Sequence, residues 1–582
     1  MSGLIRYPAL FVSLFLLWGC DGGGREIPFP DEWPYAVDES PVTAATGMVV
    51  STDEYASAVG AEILEAGGNA VDAAIATSFA LAVVNPEAGN IGGGGFMVVR
   101  LADGTTASLD YRERAPLAAS RDMYLDDSGE LTEASVVGHL AVGVPGAVAG
   151  LWEAHQRFGR LSWAELVAPA IALAEGFEVR ERQARQIRMA EENLRLFPTT
   201  EATFLPEGVP PEVGDVFHQP ELAATLGRIA AQGRAGFYRG RTADLIVAEM
   251  ETGGGLITHE DLQGMEAVWR EPIEVEYRGH TLISMPPTSS GGATLAAMAK
   301  ILEGFELGAL EYHSFEHVHL LAEAWKRAYA DRNTYLADPD FVEIPLDRMI
   351  SGEYGDERRS TIQPDRATPS LEVGPGLGNA DDGETTHLSV VDGEGNAVSV
   401  TTTINSFFGS KVTVTGAGFL LNCEMDDFSG RPGYPNQYGL VQGEANAIAP
   451  GKRMLSAMTP TIVVDPDGEL LLVVGSPGGA TIITNVFQQI SNVIDFGMGV
   501  RQGVNAPRLH HQHLPDQIEY EPGSLSPEVV AALEAMGHEM NERIRTGDVY
   551  PYIGDVQAIM RMADGSLAGA SDHRRGGAAV GY

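Results

Sequence analysis

Cysteine is almost missing from this 582-residue chain: Cys20 and Cys423 are the only two. They provide no disulfide framework, so the fold must be held by packing alone. Cys423 follows an apolar run and reads as a small buried side chain. Lysine is nearly as scarce, with Lys300, Lys326, Lys411 and Lys452 the only four. Against 38 basic side chains stand 80 acidic ones, a formal net charge of −42. So few cations argue against nucleic acid, whose phosphates require them, and against anionic membrane surfaces. The excess acid gives a strongly solvated surface and is compatible with salty surroundings, where self-repulsion is screened. No internal repeat is present.

The apolar stretch at residues 10–18 is too short to cross a bilayer and reads as the core of an export signal behind Arg6. It ends in Leu17-Trp18-Gly19-Cys20, which looks like a bacterial lipobox. The expectation is a signal segment over residues 1–20, with lipid attachment at Cys20 and removal of the residues before it, and a tether over residues 21–33. The location implied is periplasmic or cell-surface. An ordinary secretory signal with an incidental cysteine is the competing reading.

Further on, 44% hydrophobic residues suffice for a large core, and one large α/β domain is possible at this length. Residues 55–66 predict an amphipathic helix closed by Gly67-Gly68. Asn69 then caps a helix over residues 70–84 that stops at Asn85-Pro86. The loop Gly89-Asn90-Ile91-Gly92-Gly93-Gly94-Gly95 lacks a following Gly-Lys-Ser/Thr and precedes a strand, so close backbone packing is a better reading than phosphate binding. Strands are predicted at residues 96–101 and 107–110, and a long helix over 313–336. Two hairpins come next, 387–391 with 397–403 and 459–464 with 469–474, then a helix over 481–496. Residues 364–384, rich in Pro, Gly and Asp, are expected to be mobile or exposed. His317 and His319 form no His-Glu-x-x-His pattern, and His510, His511 and His513 have no carboxylate at ligand spacing, so no metal is expected.

The chemistry concentrates in Glu384-Thr385-Thr386-His387-Leu388-Ser389-Val390-Val391-Asp392 and in the residues downstream of it. A threonine hydroxyl needs a base to become a nucleophile, and a threonine made N-terminal carries its own, the α-amine. Such a residue arises by cutting the chain before it, here between Glu384 and Thr385. Beyond this segment lie Thr403, Asn405, the run Asn422-Cys423-Glu424-Met425-Asp426-Asp427-Phe428, and the turn Gly475-Ser476-Pro477-Gly478-Gly479. From about Pro34 to Tyr582 these motifs resemble the γ-glutamyltranspeptidases, proenzymes of the N-terminal-nucleophile hydrolase superfamily.

The resemblance implies a four-layer αββα sandwich built jointly by two self-cleaved fragments, residues 34–384 and 385–582, associated as a heterodimer. It implies Thr385 as nucleophile and Thr403 as the hydroxyl orienting it. Gly478 and Gly479 would form the oxyanion hole through their amides. Asn405, Glu424 and Asp427 would hold the substrate's α-ammonium. Arg112, rather than Arg114, would grip the α-carboxylate with its forked donors, aided by Ser456. Family members have a second serine where this chain has Ala457. Tyr438 corresponds to the aromatic of a lid loop over residues 432–452. The expected activity is γ-glutamyl hydrolysis and transfer on glutathione-like amides, to water or an amino-acid or peptide acceptor, without cofactor or metal. A cephalosporin or other amide acylase of the same superfamily is the first alternative. An uncleaved surface binding protein is the second.

Overall fold

The computed structural model of the protein describes residues 27–30, 33–374, 385–437, 440, 442–544 and 551–582. Cys20, Glu384 and Tyr438 lie outside the described residues, as does the scissile bond.

Two seven-stranded sheets form the centre. One runs Ala578–Gly581, Met48–Ser51, Thr386–Val391, Ala397–Thr403, Gly94–Arg100, Thr106–Asp110, Val268–Arg270, each strand antiparallel to the next. The other runs Val42–Ala44, Leu567–Ser571, Gln557–Arg561, Leu470–Gly475, Thr461–Val464, His280–Ser284, Ile273–Tyr277, again antiparallel throughout. Alternation along a strand sends successive side chains to opposite faces. Along Gly94–Arg100, Met97 and Val99 join the core under one helical layer, while Phe96 and Val98 join the core between the sheets. Serine hydroxyls bridge the sheets where bulk would hold them apart: Ser399 Oγ donates to Val474 O at 3.1 Å, and Ser389 Oγ to Gln557 O at 3.1 Å.

Helices cover both outer faces, completing the four-layer αββα arrangement. On the first sheet lie Glu54–Glu65 and Ala70–Val84. Asn69 and Asp72 cap the second reciprocally: Asn69 Oδ1 accepts from the Asp72 amide at 2.9 Å and Asp72 Oδ2 from the Asn69 amide at 3.1 Å. Pro86 ends that helix, as predicted, because the residue before a proline is disfavoured in the helical region. On the second sheet lie Gly291–Leu302, Phe315–Tyr335 and Ile482–Ile494. Both predicted hairpins form, Thr386–Val391 with Ala397–Thr403 and Thr461–Val464 with Leu470–Gly475. His317 and His319 are packed in the interior, and His510, His511 and His513 are buried too.

The segment before the expected cut is more firmly held than its composition implied. Residues 375–384 lie outside the described part, but residues 364–374 are tied down although mostly exposed. The Thr368 amide donates to Glu323 Oε1 at 3.0 Å, Lys326 Nζ donates to Thr368 O at 2.5 Å, and the Ser370 amide donates to Asp516 Oδ2 at 2.7 Å. Charged side chains on neighbouring elements supply the order that the segment's own residues could not.

The glycine loop packs backbone against backbone. A Cβ on Gly92 would stand 1.9 Å from Leu420 O, and one on Gly93 1.9 Å from Thr403 O. Gly227, inside Pro220–Gln232, has nothing within 4 Å of its Cβ position. Gly93→Ala is therefore expected to lower unfolding free energy by about 1–3 kcal/mol or more. Gly227→Ala should raise it by about 0.5–1 kcal/mol. Denaturant unfolding of the two variants checks this; equal effects would contradict the packing assigned to the loop.

Candidate active site

Thr385 directly precedes Thr386–Val391, and Thr403 ends the strand paired with it, with Thr386 opposite Thr402. The hairpin register thus brings residues 18 positions apart to the same end of the sheet, and both line one narrow cavity. Thr403 Oγ1 accepts from the Asn405 amide at 2.7 Å. Asn405 has φ 74°, a left-handed turn, and its Nδ2 donates to Cys423 O at 2.9 Å. That bond ties the end of the strand to the acidic run. Cys423 is buried, with its thiol pushed up to about 11 by desolvation, consistent with a small packed side chain.

Among the described residues no histidine lines the cavity that holds Thr385. The nearby His387 is buried and pulled down to about 3 by desolvation, so it is neutral. Its two ring nitrogens sit 2.8 Å from Thr401 Oγ1 and 3.1 Å from Ser389 Oγ. It is a structural residue between the sheets.

Facing Thr385, the turn after Leu470–Gly475 leads into the helix Ile482–Ile494. Gly478 has φ 131° and Gly479 φ 54°, conformations that L side chains rarely adopt. Thr481 returns two bonds to Gly478 O, from its amide at 2.9 Å and its hydroxyl at 2.7 Å. Among the described residues no acceptor takes the amides of Gly478 and Gly479. Gly479 lines the cavity. Unpaired amides at a helix start carry partial positive charge and suit a developing oxyanion.

The remaining wall is a buried charge cluster. Arg112 is wholly buried and hydrogen-bonds Glu424 through Nη1 and Asp427 through Nη2. Nε donates to Met454 O at 3.2 Å, and Nη2 also to Leu455 O at 3.3 Å. Glu113 lies 3.5 Å from Arg112 Nη1 and neither of its carboxylate oxygens has a hydrogen bond. Burial pushes Glu113 up to about 7, although Arg112 pulls the other way. Burial likewise raises Glu424 and Asp427 despite the same guanidinium. Three carboxyls around one arginine leave the site short of positive charge. Arg114, by contrast, points away, with Nε donating to Gly451 O at 2.7 Å.

Ser456 and Ala457 complete this side. Ser456 Oγ accepts from the Met458 amide at 3.2 Å, which leaves its proton for a ligand. Of the predicted residues, Thr385, Thr403, Asn405, Arg112, Glu424, Asp427, Ser456 and Gly479 line the same cavity. Gly478 is one residue removed. Leu440, two residues beyond Tyr438, also lines it. Sequence reasoning missed Arg332, from the helix Phe315–Tyr335, and Glu113. Neither carries a local signal, because a helical arginine and a loop glutamate look solvated until the layers are stacked.

A second cluster, His319, Glu323 and His538, has ligand atoms within 4.8 Å of one another. Its donors are already engaged. Glu323 pairs with Lys326 at 3.2 Å and Arg327 at 2.7 Å, and His319 Nδ1 sits 2.8 Å from His538 Nε2. Two cations on the carboxylate fit a metal poorly.

The family profile described as Gamma-glutamyltranspeptidase matches residues 56–582. A glutathione hydrolase proenzyme of Pseudomonas aeruginosa is 48% identical over 548 residues, 93% of this chain and 96% of its own length. An acylase ACY 1 proenzyme of Pseudomonas sp. (strain V22) is 40% identical over 563 residues, 95% of this chain and 97% of its own. Among solved structures, cephalosporin acylase from Bacillus halodurans superposes with TM-score 0.83 at 30% identity, covering 95% of this chain and 99% of that one. Helicobacter pylori gamma-glutamyltranspeptidase superposes with TM-score 0.56 at 43% identity, covering 58% of this chain and 97% of that one.

Removing Arg112 strands its carboxylates. Arg112→Met should destabilise the fold by about 3–5 kcal/mol near neutrality, the usual result of breaking a buried ion pair. Without the guanidinium, Glu424 and Asp427 rise further above their unfolded values. A carboxyl raised in this way loses stability for the fold as pH increases through its folded value. The difference from the parent protein should therefore be larger at about pH 8 than at about pH 5. Thermal unfolding at both pH values checks it; a pH-independent difference would mean these carboxyls are solvated.

Proposed function

The chain belongs to the γ-glutamyltranspeptidase family, whose members act on glutathione-like γ-glutamyl amides, and we propose that it works through Thr385 after cutting itself at Glu384-Thr385. The single observation that carries this reading is the convergence on one cavity of Thr385, free glycine amides and a buried arginine–carboxylate cluster.

In the uncut chain the Thr385 nitrogen is an amide and cannot take a proton. Cleavage turns it into an amine of ordinary pKa near 7.7–8.0, poised for acid–base work at neutral pH. The Thr385 hydroxyl then attacks the γ-carbonyl carbon while the α-amine takes its proton. The amides of Gly478 and Gly479 hold the oxyanion. Collapse breaks the C–N bond, and the protonated α-amine returns its proton to the leaving amine. The γ-glutamyl-Thr385 ester that remains is opened by water or by an acceptor amine. Asp427 and Glu424, raised by burial and short of positive charge, receive the α-ammonium, with Asn405 beside them. Ser456 and Arg112 face the α-carboxylate, and Thr403 orients the nucleophile.

An acylase taking an uncharged acyl group would have no use for two raised carboxyls, so the γ-glutamyl reading is favoured over it. A binding protein would have no use for free amides opposite a threonine. The word proenzyme in the relatives' names supports self-cleavage and a heterodimer of residues 34–384 and 385–582. The signal pattern before Cys20 supports export and lipid anchorage at the cell surface or in the periplasm.

Intact-mass measurement should find two fragments, one beginning at Thr385. Thr385→Ala should remain a single chain, because the same hydroxyl opens the preceding peptide; a variant still cut at this bond would overturn the mechanism. Asp427→Asn should be processed normally. It should lose about ten- to a hundredfold in kcat/KM on a γ-glutamyl anilide, the equivalent of a charged hydrogen bond of about 1.5–3 kcal/mol. Unchanged kcat/KM in processed enzyme would place the ammonium elsewhere.

A further inference from the structure

Arg332 is 1% exposed and lines the cavity that holds Thr385, Asp427 and Ala457. Its guanidinium is held in place on two sides. Nε donates to Ser290 Oγ at 2.9 Å, and Nη1 to Asn333 Oδ1 at 2.8 Å. Ser290 is itself bound to the loop bearing Ala457: its amide and its hydroxyl both donate to Ser456 O, at 2.7 Å and 2.5 Å. One hydroxyl therefore ties the guanidinium to the backbone of the Ser456-Ala457 pair.

The other fully buried arginines are neutralised. Arg112 meets Glu424 and Asp427, Arg327 meets Glu323, and Arg574 meets Glu521 and Asp572. Among the described residues Arg332 has no carboxylate within ion-pair distance, and Nη2 has no acceptor. The carboxylate whose charge draws on it is Asp427, which is already committed to Arg112. Burying an unpaired cation is unfavourable unless an anion completes it. Ala457, whose methyl donates nothing, lines the same cavity.

We propose that Arg332 is a substrate-binding residue that takes the α-carboxylate of the γ-glutamyl group through Nη2, on the side where Ala457 has no donor. This rests on the γ-glutamyl reading of the site. The ligand then presents its ammonium to Asp427 and Glu424 and its carboxylate between Arg112 and Arg332. The ligand's ammonium then meets the surplus of carboxyls, and its carboxylate meets the cation that lacks one. The fixed, planar fork of an arginine suits a carboxylate better than a point charge does.

The test compares two substrates: a γ-glutamyl anilide, and the 4-aminobutanoyl anilide that keeps the ammonium and the scissile amide but lacks the α-carboxylate. In Arg332→Gln, KM for the γ-glutamyl anilide should rise about ten- to a hundredfold with kcat nearly unchanged, the pattern of lost uniform binding. KM for the 4-aminobutanoyl anilide should not move. A merely structural arginine would impair both substrates alike, and that outcome, or an unmoved KM for both, overturns the proposal. If the glutamine variant does not fold, Arg332→Lys decides in its place: a several-fold rise in KM confined to the γ-glutamyl anilide supports the role, and equal effects on both substrates remove it. Failure of the unaltered enzyme to turn over any γ-glutamyl anilide would instead sink the γ-glutamyl reading, whatever Arg332 does.

Discussion

The hydrogen-bond ladders on either side of Thr386–Val391 are what the rest of the molecule depends on. One edge pairs with Met48–Ser51 and the other with Ala397–Thr403. A strand from the amino-terminal half and one from the carboxy-terminal half therefore flank this interior strand of one sheet, and neither half has a complete sheet alone. Cutting the backbone before Thr385 removes none of these bonds. The new end is left at a strand terminus, where backbone geometry is set by its neighbours. A nucleophile that must meet a carbonyl within a fraction of an ångström benefits from that rigidity, since small misplacements slow such steps sharply.

The second constraint is electrostatic. A chain with net charge −42 spreads its acid over a surface where water screens it, but it gathers the buried Glu113 and Glu424 and the partly buried Asp427 around Arg112. Desolvation raises all three carboxyls even against that arginine. The arrangement is unfavourable for an empty fold and favourable for one that receives an ammonium, so the site's specificity and its local instability share one cause. Arg332 is the complementary case, a buried cation awaiting an anion.

The glycine loop links the two constraints. Gly92 and Gly93 allow the backbone to press against Leu420 O and Thr403 O, while a Cβ on Gly94 would meet the Glu113 carboxylate at 2.6 Å. Asn422, at the start of the acidic run, donates to Gly92 O and Gly143 O at 2.8 Å and accepts from the Glu424 amide at 3.0 Å. Loop, strand end and charge cluster are thereby tied to one another.

Local chemistry alone determined much of this protein. Asn69 and Pro86 bound a helix wherever they occur with such a pattern between them, and alternating apolar strands around Asp392-Gly393 read as a hairpin because turn residues act over a few positions. The motifs around Thr385, Glu424, Asp427 and Gly478 were legible through their resemblance to the γ-glutamyltranspeptidases, because each is contiguous along the chain. Tertiary structure decided what depends on distance between layers. It showed that His387 is buried and engaged between the sheets and that residues 364–374 are pinned by Glu323, Lys326 and Asp516. It also placed Arg332 at the cavity and Glu113 behind it against Arg112. Burial and pairing are properties of surfaces brought together from distant parts of the chain. A pattern along the chain cannot state them, and they set which charges a ligand must complete.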